Sequence, residues 1–122
     1  MEAWLEKASR YREYAKRNFE SGACDLACFL AQQSAEFLLK ALLIRETGAR
    51  PLTHSLYEMA RRLATLKNFE LGDEVAKCAK ALEHHYVQSR DPDARVGEYE
   101  RWEAESCIEC MEALWRWTSG LK

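Results

Sequence analysis

Apolar residues return every three or four positions along almost the whole chain, and the breaks between these runs mark its elements. Between Glu2 and Ser21 the recurring set is Trp4, Ala8, Tyr11, Ala15 and Phe19, with Lys7, Arg10, Glu13 and Arg17 largely off that stripe. A helix puts such a set on one face. Ser21-Gly22 ends the run, because glycine accepts the left-handed conformation that closes a helix. The next run is apolar on two adjacent faces: Leu26, Leu30, Phe37, Ala41 and Ile44 form one, Ala27, Ala31, Leu38 and Leu42 the other. A helix of that kind needs neighbours on more than one side. After Gly48 to Pro51, Ser55-Leu56-Tyr57-Glu58 reads as a capping box before Leu56, Met59, Leu63 and Leu66. Val75, Ala79, Leu82 and Tyr86 carry a fourth run that ends at the turn Arg90-Asp91-Pro92-Asp93, and Trp102, Cys107, Met111, Leu114 and Trp115 a fifth that stops before Gly120. The spacing predicts helices over residues 2–21, 23–47, 53–67, 72–89 and 98–119.

Five helices with short connections, and no segment of strand period, predict an all-α antiparallel (up-and-down) bundle in a single domain over residues 1–122. Composition agrees: two prolines and five glycines among 122 residues leave few helix breakers, and 48% hydrophobic with 31% charged residues excludes a disordered polyion. A net charge of −2 excludes a strongly basic nucleic-acid binder, but the charge is uneven. Residues 1–67 hold 11 Lys/Arg against 8 Asp/Glu, and residues 68–122 hold 7 against 12, so a polyanion is expected to meet the front half. The N-terminus is charged where a leader would be apolar, and no run of about 18 apolar residues occurs, so the expectation is a cytoplasmic protein with no membrane contact. The two-faced second helix and Trp102, Trp115 and Trp117 on the last give more apolar surface than one small bundle covers, which predicts a homodimer.

Three groups of residues have chemical potential. Cys24 with Cys28, and Cys107-x-x-Cys110, have spacings at which thiolates one helical turn apart reach one ion, but both pairs lie within helices among apolar residues, where free cysteine acts as a small hydrophobe. Together with Cys78 they make an odd number, so reduced thiols, no metal and no cofactor are expected. His84 and His85 point about 100° apart on a helix, so one is expected to face solvent and the other to pack. The second helix carries a polar ladder, Gln32, Glu36 and Lys40 at steps of four with Gln33 beside Glu36, in a favourable Glu-before-Lys order. Such a ladder either hydrogen-bonds at a core or interface or lines a cavity. No Gly-rich phosphate loop, nucleophile elbow or His-Glu-x-x-His pattern is present.

Three segments give the chain a resemblance to the HEPN domain, the nucleotide-binding helical domain of higher eukaryotes and prokaryotes. They are Phe29 to Glu36 followed by Leu39-Lys40-Ala41-Leu42-Leu43, the start Thr53-His54-Ser55-Leu56, and Tyr86-x-x-x-Ser89-Arg90-x-Pro92-Asp93. The resemblance implies a four-helix bundle plus one additional helix, a homodimer, and a non-catalytic nucleotide- or RNA-binding and assembly module working with a minimal nucleotidyltransferase. Lys40, His54, Arg90 and Arg95 would meet phosphate, and Tyr86 a base. Two positions depart from the family pattern. Asp91 stands where the family has an aromatic, and the Arg-x4–6-His pair of its ribonuclease members is absent, because only three residues separate Arg50 from His54. No catalytic residue is therefore carried over. The alternative is a ribonuclease toxin of a toxin–antitoxin pair, using Arg90 with His84 or His85.

Overall fold

The computed structural model describes residues 1–85 and 98–121. Among these are five helices, α1 (Glu2–Glu20), α2 (Cys24–Thr47), α3 (Leu56–Leu66), α4 (Asp73–Glu83) and α5 (Arg101–Ser119), and no strand. The turn expected at Arg90 to Asp93 and the last residues of the expected 72–89 helix lie outside the described residues.

Local chemistry sets the ends. α1 closes on Ser21, and the next residue, Gly22, takes φ +87°, which a side chain would resist. α2 closes on Gly48 at φ +80°, whose N–H reaches the Ile44 carbonyl. Ser55 caps α3 by accepting from the Glu58 N–H, but the Glu58 carboxylate accepts from the Thr53 hydroxyl instead of completing a box, so the helix starts at Leu56 and not at 53. The reciprocal capping box occurs at α5, between Glu100 and Glu103, and starts that helix at Arg101.

Paired contacts fix the directions. Cys28 meets Cys107 and Ser34 meets Trp115, so α2 and α5 advance together. Arg12 meets Glu112 while Phe19 meets Arg101, and Glu70 meets Trp117 while Cys78 meets Cys110, so α1 and α4 both run against α5. α1, α2, α4 and α5 thus alternate as an up-and-down four-helix bundle, and α3 is the additional helix, packed on α2 and α4. The expected stripe of α1 is borne out by Ala8 and Ala15, both wholly buried. α2 touches all four other helices. By length and composition it is apolar enough to cross a membrane, yet 78% of that stretch is buried within the bundle. Ser34, also wholly buried, ties three helices: its hydroxyl donates to the Ala8 carbonyl at 2.7 Å and accepts from the Trp115 indole at 3.1 Å.

Two expectations are corrected. The thiols are not all reduced: Cys28 is joined to Cys107 and Cys78 to Cys110, with Cα atoms 5.3 and 4.9 Å apart, which leaves Cys24 as the free thiol. Spacing along a helix compared the wrong partners, since each bridge links facing positions on two different helices. The tryptophans do not make one exposed surface either. Trp102 is 70% exposed, but Trp117 is buried, with its indole donating to the Glu70 carbonyl, and Trp115 is half-buried against Ser34.

Candidate functional site

The polar ladder of α2 closes around one carboxylate. Gln32, Glu36 and Lys40 share a face because each is four residues from the next, and all three are buried. Gln32 Nε2 donates to Glu36 Oε1 at 2.9 Å, and Lys40 Nζ donates to Oε2 at 2.7 Å. Gln33 Nε2 extends the chain by donating to Gln32 Oε1 at 2.6 Å. The fourth member comes from the segment before α3: His54 Nδ1 lies 2.9 Å from Glu36 Oε2. Buried polar groups without partners are costly, and here every one is paired; among the described residues no buried side-chain nitrogen or oxygen is left without a hydrogen bond.

Cations and rings surround this carboxylate. Lys40 Nζ sits 5.9 Å from the centre of the Trp4 indole and the Arg50 guanidinium 5.7 Å from the same ring, within the range at which a cation is drawn to an aromatic face. Trp4 leans on Phe37 at 5.8 Å, Phe37 meets Tyr11 edge-on at 5.2 Å, and Lys7 Nζ lies 5.0 Å over Phe37. The result is a face made by α1, α2 and the 48–55 segment on which Lys7, Lys40, Arg50 and His54 gather about half-buried rings, with Glu36 as their buried counter-charge. Chemically, such a face offers donors to an anion and ring faces to a planar group.

Of the residues singled out from sequence, Lys40, His54, Gln32, Gln33 and Glu36 are therefore brought together, whereas Tyr86, Arg90 and Arg95 lie outside the described residues. The two states of the ladder's members differ sharply. Lys40 is 5% exposed and committed to Glu36, while the His54 side chain is 56% exposed. Trp4, Lys7 and Arg50 were missed as members of this face. The Trp4-Lys7-Tyr11 spacing of three and four already put a cation between two rings on one side of α1, and that was the available signal.

The other histidines sit elsewhere. His84 is exposed, as expected of one of the pair, and His85 packs half-buried against Tyr99, with Nδ1 2.7 Å from the phenolic oxygen. Away from both, Glu112 of α5 is gripped by Arg12 and Lys16 of α1. The Arg12 hydrogen bond, against the opposing effect of burial, holds the Glu112 carboxyl below the usual carboxylate range, with Lys16 adding to it, and Glu112 in turn raises Arg12.

Comparison with known proteins gives a consistent picture. No curated protein matches the chain. TT1696 of Thermus thermophilus is 28% identical over 99% of this chain and 97% of its own, with a TM-score of 0.86. ST0689, an archaeal HEPN homologue, is 31% identical over 98% of this chain and 94% of its own, at 0.74. A HEPN domain protein of Thermotoga maritima, TM0613, is 28% identical over 98% of this chain and 96% of its own, at 0.76. The model of the HEPN domain family matches residues 1–121, and the chain belongs to that family.

Proposed function

We propose that this protein is a non-catalytic, homodimeric nucleotide- or RNA-binding and assembly module of the cytoplasm that works with a minimal nucleotidyltransferase. The observation that carries the reading is the cationic and aromatic face around Glu36, where Lys7, Arg50 and His54 stand beside Trp4 and Phe37 with one buried carboxylate among them. Phosphate would be held by Arg50 and His54, with Lys40 held ready by Glu36, by Arg90, which the family motif adds, and by Arg95, a further cation five residues on; the base would stack on Trp4 or Tyr86. The absence of the Arg-x4–6-His pair supports a role without catalysis.

The test is calorimetric titration of the protein with a short single-stranded RNA and with a nucleoside triphosphate. Binding that weakens with salt and falls several-fold in both Arg50→Ala and Arg90→Ala supports the reading. Equal binding in both variants would refute it. Light scattering in the same buffer should return twice 14.2 kDa, and a particle of 14.2 kDa at micromolar concentration would remove the dimer. RNA cleavage by the parent that disappears in Arg90→Ala and His85→Ala would replace the proposal with the ribonuclease-toxin alternative.

A further inference from the structure

We propose that, once its cross-link is reduced, the Cys28–Cys107 pair forms with His85 a three-ligand site for zinc or a similar borderline divalent ion. The sulfurs of Cys28 and Cys107 and an imidazole nitrogen of His85 all lie within 4.8 Å of one another, although they come from α2, α5 and the residues after α4. Among the described residues no other set of three histidine, cysteine or acidic side chains converges in this way.

Three features make the cluster a metal site and not only a structural bridge. The first is charge. Two thiolates and a neutral imidazole around a divalent ion sum to zero, so the loaded site avoids the large cost of a net charge where Cys28 is 0% and Cys107 3% exposed. The second is the surroundings of the histidine. A metal-bound imidazole characteristically uses its other nitrogen on an oxygen that fixes ring and tautomer, and here the Tyr99 hydroxyl lies 2.7 Å from Nδ1, with the two rings 5.4 Å apart. Coordination is accordingly assigned to Nε2. The third is the contrast with the second bridge: Cys78–Cys110 has no such histidine. Two sulfurs and one nitrogen suit zinc or cobalt, and the fourth tetrahedral position is left for water or an external ligand. His85, half-buried where the cysteines are closed off, gives the side from which an ion enters.

The chemistry balances without a hidden partner. A dithiol gives two electrons and two protons to the Cys28–Cys107 disulfide, yielding two thiols and becoming a disulfide itself. The divalent ion then displaces both thiol protons to solvent and bonds to two thiolates and His85. With the cross-link closed there is no thiolate, so the oxidised protein takes up no metal; for the reduced protein the proposal departs from the sequence expectation, which paired reduced thiols with no metal. The site lies eight residues, about 12 Å, along α2 from Glu36. Its existence does not depend on nucleotide binding.

Cobalt(II) is the probe, added under argon to protein reduced with a phosphine that is then removed, and to unreduced protein. The expected result is one equivalent bound by the reduced protein with thiolate-to-cobalt charge-transfer absorption, and none by the unreduced. His85→Ala and Tyr99→Phe keep both cysteines, and circular dichroism checks that they fold. Tyr99→Phe should weaken binding about 10- to 100-fold and His85→Ala at least as much. The double variant Cys78→Ser/Cys110→Ser should bind as the parent does. No charge-transfer band on the reduced parent, affinity unchanged in His85→Ala, or loss of the band in the Cys78/Cys110 variant would each overturn the assignment.

Discussion

Replacing Glu36 with alanine should cost about 4 kcal/mol of folding stability. The Lys40 side chain is 7% exposed and its ammonium spends its charge on Glu36 Oε2. Removing one partner of a buried ion pair typically costs about 3–5 kcal/mol, because the other charge stays buried without compensation. Gln32 Nε2, also buried, loses its acceptor, which by itself is worth about 1–3 kcal/mol. The two losses overlap, since both groups can relax toward the space the carboxylate leaves. His54 adds little, because its ring is 56% exposed and water replaces the lost bond. For a chain of 122 residues the unfolding entropy is roughly 0.26 kcal/mol/K, so Tm should fall by about 15 °C. The double variant Glu36→Leu/Lys40→Leu should recover the part of the loss due to the stranded Lys40 charge, because a buried pair exchanged for apolar groups of similar size is close to neutral, while the Gln32 amide, still without its acceptor, keeps a loss of about 1–3 kcal/mol. Thermal and urea unfolding followed by circular dichroism, with the cross-links kept oxidised, measures both. A fall of less than about 4 °C in Glu36→Ala, or a double variant no better than the single, would show that the ladder is not a structural network and that water reaches Lys40 freely.

Thiol titration of the unreduced, denatured protein should count one group, Cys24, against five after reduction; five without reductant would remove both cross-links. Cys78→Ser/Cys110→Ser opens a loop of 32 residues and should cost up to about 3.7 kcal/mol by chain entropy, read as a lower urea midpoint; an unchanged midpoint would contradict it. Ser34→Ala leaves the Trp115 indole without its acceptor and should cost about 1–3 kcal/mol, and a neutral result would show that Trp115 finds another partner. Because Arg12 depresses the folded pKa of Glu112, this carboxylate's contribution is present above the usual range near 4.5 and is lost as pH falls through the depressed value. With both groups partly exposed it is worth at most about 1 kcal/mol, so Glu112→Gln should lower stability at pH 7 slightly and converge on the parent in strong acid; an equal gap at both pH values would refute the linkage.

The helices were legible because their signal is local. Ala8 and Ala15 announce the buried stripe of α1 by their own spacing, and Ser55 announces α3 through a bond to a residue three positions on. The ladder was legible for the same reason, as Gln32, Glu36 and Lys40 are neighbours on any helix. What completed it was not, because His54 reaches Glu36 across a change of chain direction and Arg50 meets Trp4 from 46 positions along the sequence. Cysteine pairing failed for the same physical reason: Cys28 and Cys107 are 79 residues apart and meet only after α2 and α5 have packed. Trp117 turned inward because the Glu70 carbonyl, 47 residues away, accepts its indole proton. These are consequences of topology, which periodicity does not encode.

Viewed as a covalent graph instead of a string, the oxidised chain has no single weak link over most of its length. Cutting any one peptide bond between Cys28 and Cys78 leaves both pieces joined through Cys28–Cys107, and a cut between Cys78 and Cys107 leaves them joined twice. A protease acting once anywhere in this stretch therefore releases nothing: the nicked protein stays one particle, heavier by a single water, until a reductant arrives, and only then do the fragments part.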